Sequence, residues 1–129
     1  MSALSIIIKG TFDHTFSFLK KLREKPYMKV LDEFGKIGVE ALSSATPVDS
    51  GETAASWNYR IETFKNEIHI VWYNTKRTPN GEYSVALLLQ YGHGTGTGGY
   101  VQGIDYINPA IRPVFDNIAE AAWRVITSS

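Results

Sequence analysis

The apolar pattern of this chain changes period at one turn bounded by proline and glycine, and that change restricts the fold more than any other feature. Before the turn, Val30, Leu31, Phe34, Ile37, Gly38, Ala41, Leu42 and Ala45 recur at helical spacing. They predict a long helix from Tyr27 to Ala45, with Pro26 tolerated in its first turn. After the turn, Trp57, Tyr59 and Ile61 alternate with Ser56, Asn58, Arg60 and Glu62, the period of a half-buried strand. Phe64-Lys65-Asn66-Glu67 is a hairpin connection, and Ile68, Ile70 and Trp72 return opposite His69, Val71 and Tyr73. The second face of the return strand is itself fairly apolar, so cover on both sides is expected. Gly35, Gly38, Ala41 and Ala45 keep one side of the helix small, which allows a sheet to approach closely. The turn has its own chemistry. Pro47 pushes Thr46 out of the helical region, Asp49 can cap neighbouring amides, and Gly51 is predicted at positive φ.

With 129 residues and 43% hydrophobic composition, the chain has enough apolar surface for one core without metal or disulfide. Lys plus Arg and Asp plus Glu are 13 each, which excludes a dominant polyanion-binding surface but not a locally basic face. The absence of cysteine excludes thiol catalysis and zinc-finger chemistry. Leu4–Ile8 is too short an apolar run for a membrane span, so no membrane partner is expected.

The remaining segments follow from local signals. Leu4–Lys9 reads as a strand ending at Gly10. Phe12, Phe16, Leu19 and Leu22 form one helical stripe. The cluster Lys20, Lys21, Arg23 and Lys25 reads as a solvated helix end, with a phosphate-binding patch as the competing reading. Tyr83–Tyr91, rich in Ala and Leu, predicts a short buried helix. Asn108 before Pro109 predicts a cap and first turn, and Ile111, Val114, Phe115, Ile118, Ala122, Val125 and Ile126 an amphipathic helix. Pro113 is expected to delay its regular part. One further strand is expected around Tyr100 to Tyr106. The order β-α-α-β-β-α-α makes a single α+β domain over residues 1–129. Its small antiparallel sheet is built on the central hairpin and packed against the long helix and a C-terminal helix. Mobile loops are expected near 74–82 and 92–103.

No catalytic, cofactor-binding or metal-binding residues emerge. Gly94–Gly99 spells GxGxxG, but the nucleotide-binding use needs a strand before it and a helix N-terminus after it. Here a Leu-rich helix precedes and Tyr100-Val101-Gln102-Gly103 follows. His14, His69 and His93 lack metal-ligand spacing. Trp57, Tyr59, Trp72 and Tyr73 could stack bases, but without an interleaved basic stripe they read as core. Six of the eleven glycines lie between Gly92 and Gly103, a loop suited to following a neighbour's surface. Its contact groups are Tyr91, His93, Gly96, Tyr100 and Gln102, while Pro47, Asp49 and Gly51 form the structural turn.

Three landmarks then occur in order: Ala45-Thr46-Pro47-Val48-Asp49-Ser50-Gly51 leading into the hairpin, Gln90-Tyr91-Gly92-His93, and Ile111-Arg112-Pro113-Val114. In this order, over roughly residues 27–126, the chain resembles the small neck and tail-component proteins of long-tailed bacteriophages. It departs from them at Ala54-Ala55, where a leucine and a basic residue are usual, at Gln90, where an acid is usual, and in a longer glycine loop. The resemblance implies a virion structural protein without enzymatic activity, forming a homo-oligomeric ring at the head–tail junction. Its partners would be neighbouring head-completion, neck and tail proteins, with DNA only as the passing genome. It would occupy the host cytoplasm during assembly. The competing reading is a non-viral α+β binding module or small enzyme using the glycine loop 92–103.

Overall fold

The computed structural model describes residues 3–9, 20, 23–47, 51–94 and 97–127. Strand β1 spans Ala3–Lys9, helix α1 Lys25–Ala45, strand β2 Trp57–Thr63 and strand β3 Glu67–Asn74. Helix α2 spans Val85–Tyr91, strands β4 and β5 Gly92–Gly94 and Tyr100–Gln102, and helix α3 Ile107–Thr127. This is the expected α+β class. The expected helical stripe Phe12–Leu22, and with it Lys21, lies outside the described residues.

The central hairpin forms as the alternation demands. β2 pairs antiparallel with β3 from Trp57 opposite Asn74 to Thr63 opposite Ile68. β1 joins the far side of β3, also antiparallel, from Ala3 opposite Tyr73 to Lys9 opposite Glu67. The order β1-β3-β2 places β3 in the middle. Ile68, Ile70 and Trp72 are fully buried against the helices. On the other face Val71 is buried as well, flanked in register by Ser5 and Arg60. Arg60 lies 5.3 Å from the Tyr73 ring centroid and pairs with Glu62 at 3.0 Å, and His69 meets Glu67 at 2.8 Å. An arginine stem covers apolar surface while its head stays in water.

Helix α1 crosses the buried face, and the contact turns on two glycines. A Cβ at Gly35 would stand inside the ring of Tyr59, and one at Gly38 inside the indole of Trp72. The buried stripe is therefore Leu31, Gly35, Gly38 and Leu42, at steps of four, three and four. This corrects the expected stripe at two positions. Val30 and Ile37 are 41% and 46% exposed, because two aromatic rings claim the sheet side and rotate those residues outward. Phe34 is only half-buried at the edge of the core.

Helix α3 closes the core through Ile107, Ile111, Val114 and Ile118, with Phe115 5.8 Å from Trp72 between ring centroids. It runs without interruption through Pro113, against the expectation of a delayed start. Pro113 and Pro109, whose carbonyl loses its partner, are both exposed. Water can take up that carbonyl, and the burial of Ile111 and Val114 on the opposite face holds the helix together.

The turn after α1 also forms as expected at its two described ends. Thr46 ends the helix in extended conformation, its Oγ1 donating to Leu42 O at 2.6 Å and accepting from Trp57 Nε1 at 2.8 Å. Gly51 has φ +84°. Asp49 lies outside the described residues. The expected loop 74–82 is tied back to this turn: Asn74 Nδ2 donates to Thr53 O at 2.8 Å, and Lys76 pairs with Glu52.

Candidate assembly surface

The glycine-rich stretch is anchored at a buried side chain. Gln90, at the end of α2, accepts with Oε1 from the backbone N–H groups of Tyr106 at 3.0 Å and Ile107 at 2.8 Å. Those are orphan donors at the start of α3, so a residue from another helix performs the capping. Asn108, expected as the cap, instead sits inside the first turn and donates to Asp105 Oδ1 at 3.0 Å. Gln90 Nε2 donates to the same Asp105 oxygen at 2.7 Å. That bond, helped by Asn108 and the Arg112 guanidinium, holds the Asp105 carboxyl below the usual carboxylate range. Tyr106 completes the joint by donating its hydroxyl to Ala86 O at 2.6 Å, and burial pushes its pKa up to about 12.

From this joint the chain makes a hairpin rather than an irregular loop. Gly92 pairs with Gln102, His93 with Val101 and Gly94 with Tyr100. β4 carries no apolar alternation, so periodicity could not have revealed it; its partner strand creates it. Gly92 must be glycine for two reasons. Its φ is +81°, and a Cβ there would come within 2.5 Å of the Tyr100 hydroxyl and the Val101 carbonyl. Tyr100 donates its hydroxyl to Tyr91 O at 3.1 Å. The GxGxxG letters therefore span the end of β4 and the hairpin connection, and no helix N-terminus follows them. That geometry is not a dinucleotide cradle.

Of the expected contact residues, Tyr91 and Tyr100 are each 67% exposed, Gln102 is exposed and His93 is half-buried. Gly96 lies outside the described residues. The structure adds Val101 and Ile104, both exposed, to the same segment. It also adds a recess of about 610 Å³ lined by Thr78, Pro79, Asn80, Tyr83, Leu88, His93 and Gly94. Sequence reasoning missed the recess because its walls come from three separate segments. His93 Nδ1 is buried without a hydrogen-bond partner, the one such side-chain atom among the described residues. An unpaired buried polar atom is costly.

The segment Ser84–Ile104 contains no Asp, Glu, Lys or Arg. Surfaces that are exposed, tyrosine-bearing and free of charge have the composition of the core of a protein–protein interface. Among the described residues, no three His, Cys, Asp or Glu groups are placed to hold a metal, and no helix is long and apolar enough to cross a membrane. Comparison with protein-family models, curated proteins and solved structures finds no match.

Proposed function

We propose that this chain is a structural subunit of the head–tail neck or tail-completion region of a long-tailed bacteriophage, assembling as a ring around the DNA passage. The observation that carries the reading is the order of the three sequence landmarks. The Pro47–Gly51 turn leads into the β2–β3 hairpin, Gln90-Tyr91-Gly92 joins α2 to the second hairpin, and Arg112-Pro113 lies in the closing helix. The uncharged, tyrosine-bearing surface around that second hairpin supports the reading, since a ring subunit needs a face that its neighbours bury. The proposed partners are other copies of the chain and the adjoining head-completion, neck and tail proteins, and no chemical step is assigned to it.

The test is removal of the coding sequence from a phage genome that carries it, followed by electron microscopy of the lysate. The expected result is separate heads and tails, restored to joined virions by supplying the chain in trans. Joined, infectious particles in its absence would overturn the proposal.

A further inference from the structure

The two edges of the three-stranded sheet are finished differently. At the ends of the β2–β3 ladder, Phe64 N–H donates to Glu67 O at 2.8 Å and Thr75 N–H to Ser56 O at 3.1 Å. Because hydrogen-bonded pairs alternate along an antiparallel ladder, Asn58, Arg60 and Glu62 are the residues of β2 that bond β3. The residues between them turn their backbone groups to the outer edge, and that edge is blunted. Asn58 Oδ1 accepts from the outward N–H of Tyr59 at 2.8 Å, and the Arg60–Glu62 pair adds charge beside it. On β3 the backbone of His69, Val71 and Tyr73 is thereby used on β2, which leaves Ile68, Ile70 and Trp72 to bond β1.

Their partners in register are Ile8, Ile6 and Leu4. Ala3, Ser5, Ile7 and Lys9 therefore direct their backbone N–H and C=O groups away from β3, to a side where no other described strand lies. Unlike β2, β1 lacks the features that protect an edge. Its pairing with β3 runs from Ala3 to Lys9 without a bulge, it contains no proline, and its single charge stands at the last position. Leu4-Ser5-Ile6-Ile7-Ile8 is uncharged and rich in β-branched residues, the composition that recruits another strand.

We infer that the outer side of β1 is completed by β1 of a second copy of the chain, antiparallel and centred on Ile6. The sequence of the strand selects this occupant. In that register Ser5 opposes Ile7 of the second copy and Ala3 opposes Lys9 of the second copy, so all four outward residues of each chain exchange hydrogen bonds. Leu4 opposes Ile8 of the second copy, and Ile6 opposes its own counterpart. These apolar pairs fall on the face that β3 lines with Ile68, Ile70 and Trp72. Any shift of register leaves some of the seven residues unpaired. The two lysines stand at opposite ends of the pair, about 20 Å apart at 3.4 Å per residue, and do not repel. The other arrangement, β1 against the β2 edge of a neighbour, meets the N–H that Asn58 already occupies. A two-fold pair is not the contact between neighbours in a cyclic ring, which are related by rotation about one shared axis. The inference therefore concerns the free chain and does not rest on the ring proposal.

Light scattering across a concentration series should show the mass of the wild type rising from one chain to two. Ile7→Pro removes an outward N–H and no bond of the β1–β3 ladder. It should keep the fold, as circular dichroism reads it, and raise the concentration needed for pairing about 10-fold or more. Ile7→Lys keeps the backbone donor and sets like charges diagonally across the two-fold; it should weaken pairing in the same way and serves if the proline variant does not fold. The chain has no cysteine, so single thiols test the register. Oxidised Ile6→Cys should give a disulfide dimer on its own, whereas Leu4→Cys and Ile8→Cys should do so only when mixed. A wild type that stays monomeric throughout, pairing that both Ile7 variants leave unchanged, or equal self-linking at the three positions would each overturn the inference. None of these results bears on the ring proposal, which is decided by virion assembly without the chain.

Discussion

The indole N–H of Trp72 donates to the backbone carbonyl of Gly35 at 2.9 Å, joining the central strand of the sheet to the middle of the long helix. Trp72 is fully buried, so this bond satisfies the only polar atom of its side chain. It also sets how deep the helix sits, because the same indole occupies the space where Gly38 would carry a Cβ.

Gly38→Ala should therefore destabilise the protein, although alanine is the better helix former by about 1 kcal/mol. The Trp72 ring that a Cβ would strike is fully buried, and overpacking a core costs about 1–3 kcal/mol. Gly38→Val should cost more. Denaturant unfolding checks both, and an alanine variant more stable than the wild type would contradict this account of the contact.

The rotation of α1 gives a second, paired prediction. Leu42→Ala should cost about 2–5 kcal/mol, since the side chain is fully buried. Ile37→Ala, on the outward side, should stay within about 0.5 kcal/mol. Equal losses at the two positions would show that the helix is seated on a different face.

At Gln90 the expected effect is one of capping. Gln90→Ala leaves the N–H groups of Tyr106 and Ile107 without their acceptor, a loss of about 2–4 kcal/mol for two buried donors. Hydrogen exchange should accelerate in the first turn of α3 before it does elsewhere. Gln90→Glu keeps an acceptor but removes the donor to Asp105 and sets two carboxylates against each other. Its stability should therefore improve on mild acidification, as one of the pair takes up a proton.

The Tyr59 hydroxyl donates to Asp32, and burial together with this bond pushes the Tyr59 pKa up to about 12. The bond from Tyr59, with Lys36 nearby, holds Asp32 below the usual carboxylate range. For Tyr59 the folded pKa exceeds the unfolded value, so its stabilising effect is complete below pH about 10 and is lost as pH rises through about 12. For Asp32 the sign is opposite: its contribution is present above the unfolded carboxylate value and disappears as pH falls through the depressed folded one. An ultraviolet titration of tyrosine ionisation should show Tyr59 and Tyr106 both late, and only Tyr59 should move towards the ordinary value in Asp32→Asn.

Gly51 lies at φ +84° with no atom within 4 Å of where a Cβ would stand. Gly51→Val should still cost more than about 1 kcal/mol, because the penalty lies in the backbone conformation rather than in a clash. Gly51→Asn should lose less, since asparagine tolerates the left-handed region better. Similar losses in the two variants, measured by thermal or denaturant unfolding, would contradict a conformational cause.

The elements legible from the residues alone were those whose signal is local. Periodicity marked α1, the β2–β3 hairpin and α3; the Pro47–Gly51 pattern marked the turn and the sign of φ at Gly51; and glycine density drew attention to 92–103 with Tyr91, His93, Tyr100 and Gln102. Tertiary structure alone decided the features that depend on a distant partner. Which side of α1 is buried was set by the rings of Tyr59 and Trp72, both remote in sequence from Gly35 and Gly38. The cap of α3 came from Gln90 because that amide is carried to it by another helix, and Asn108, adjacent in sequence, was left to bond Asp105. Continuity through Pro113 depended on which of its faces met water, β4 existed only through β5, and the recess beside His93 took its walls from three segments. Hydrophobic period and backbone sterics act over a few residues and are written in the chain. Packing partners are chosen only once the whole chain has folded, because each depends on the shape and polarity of a surface made elsewhere.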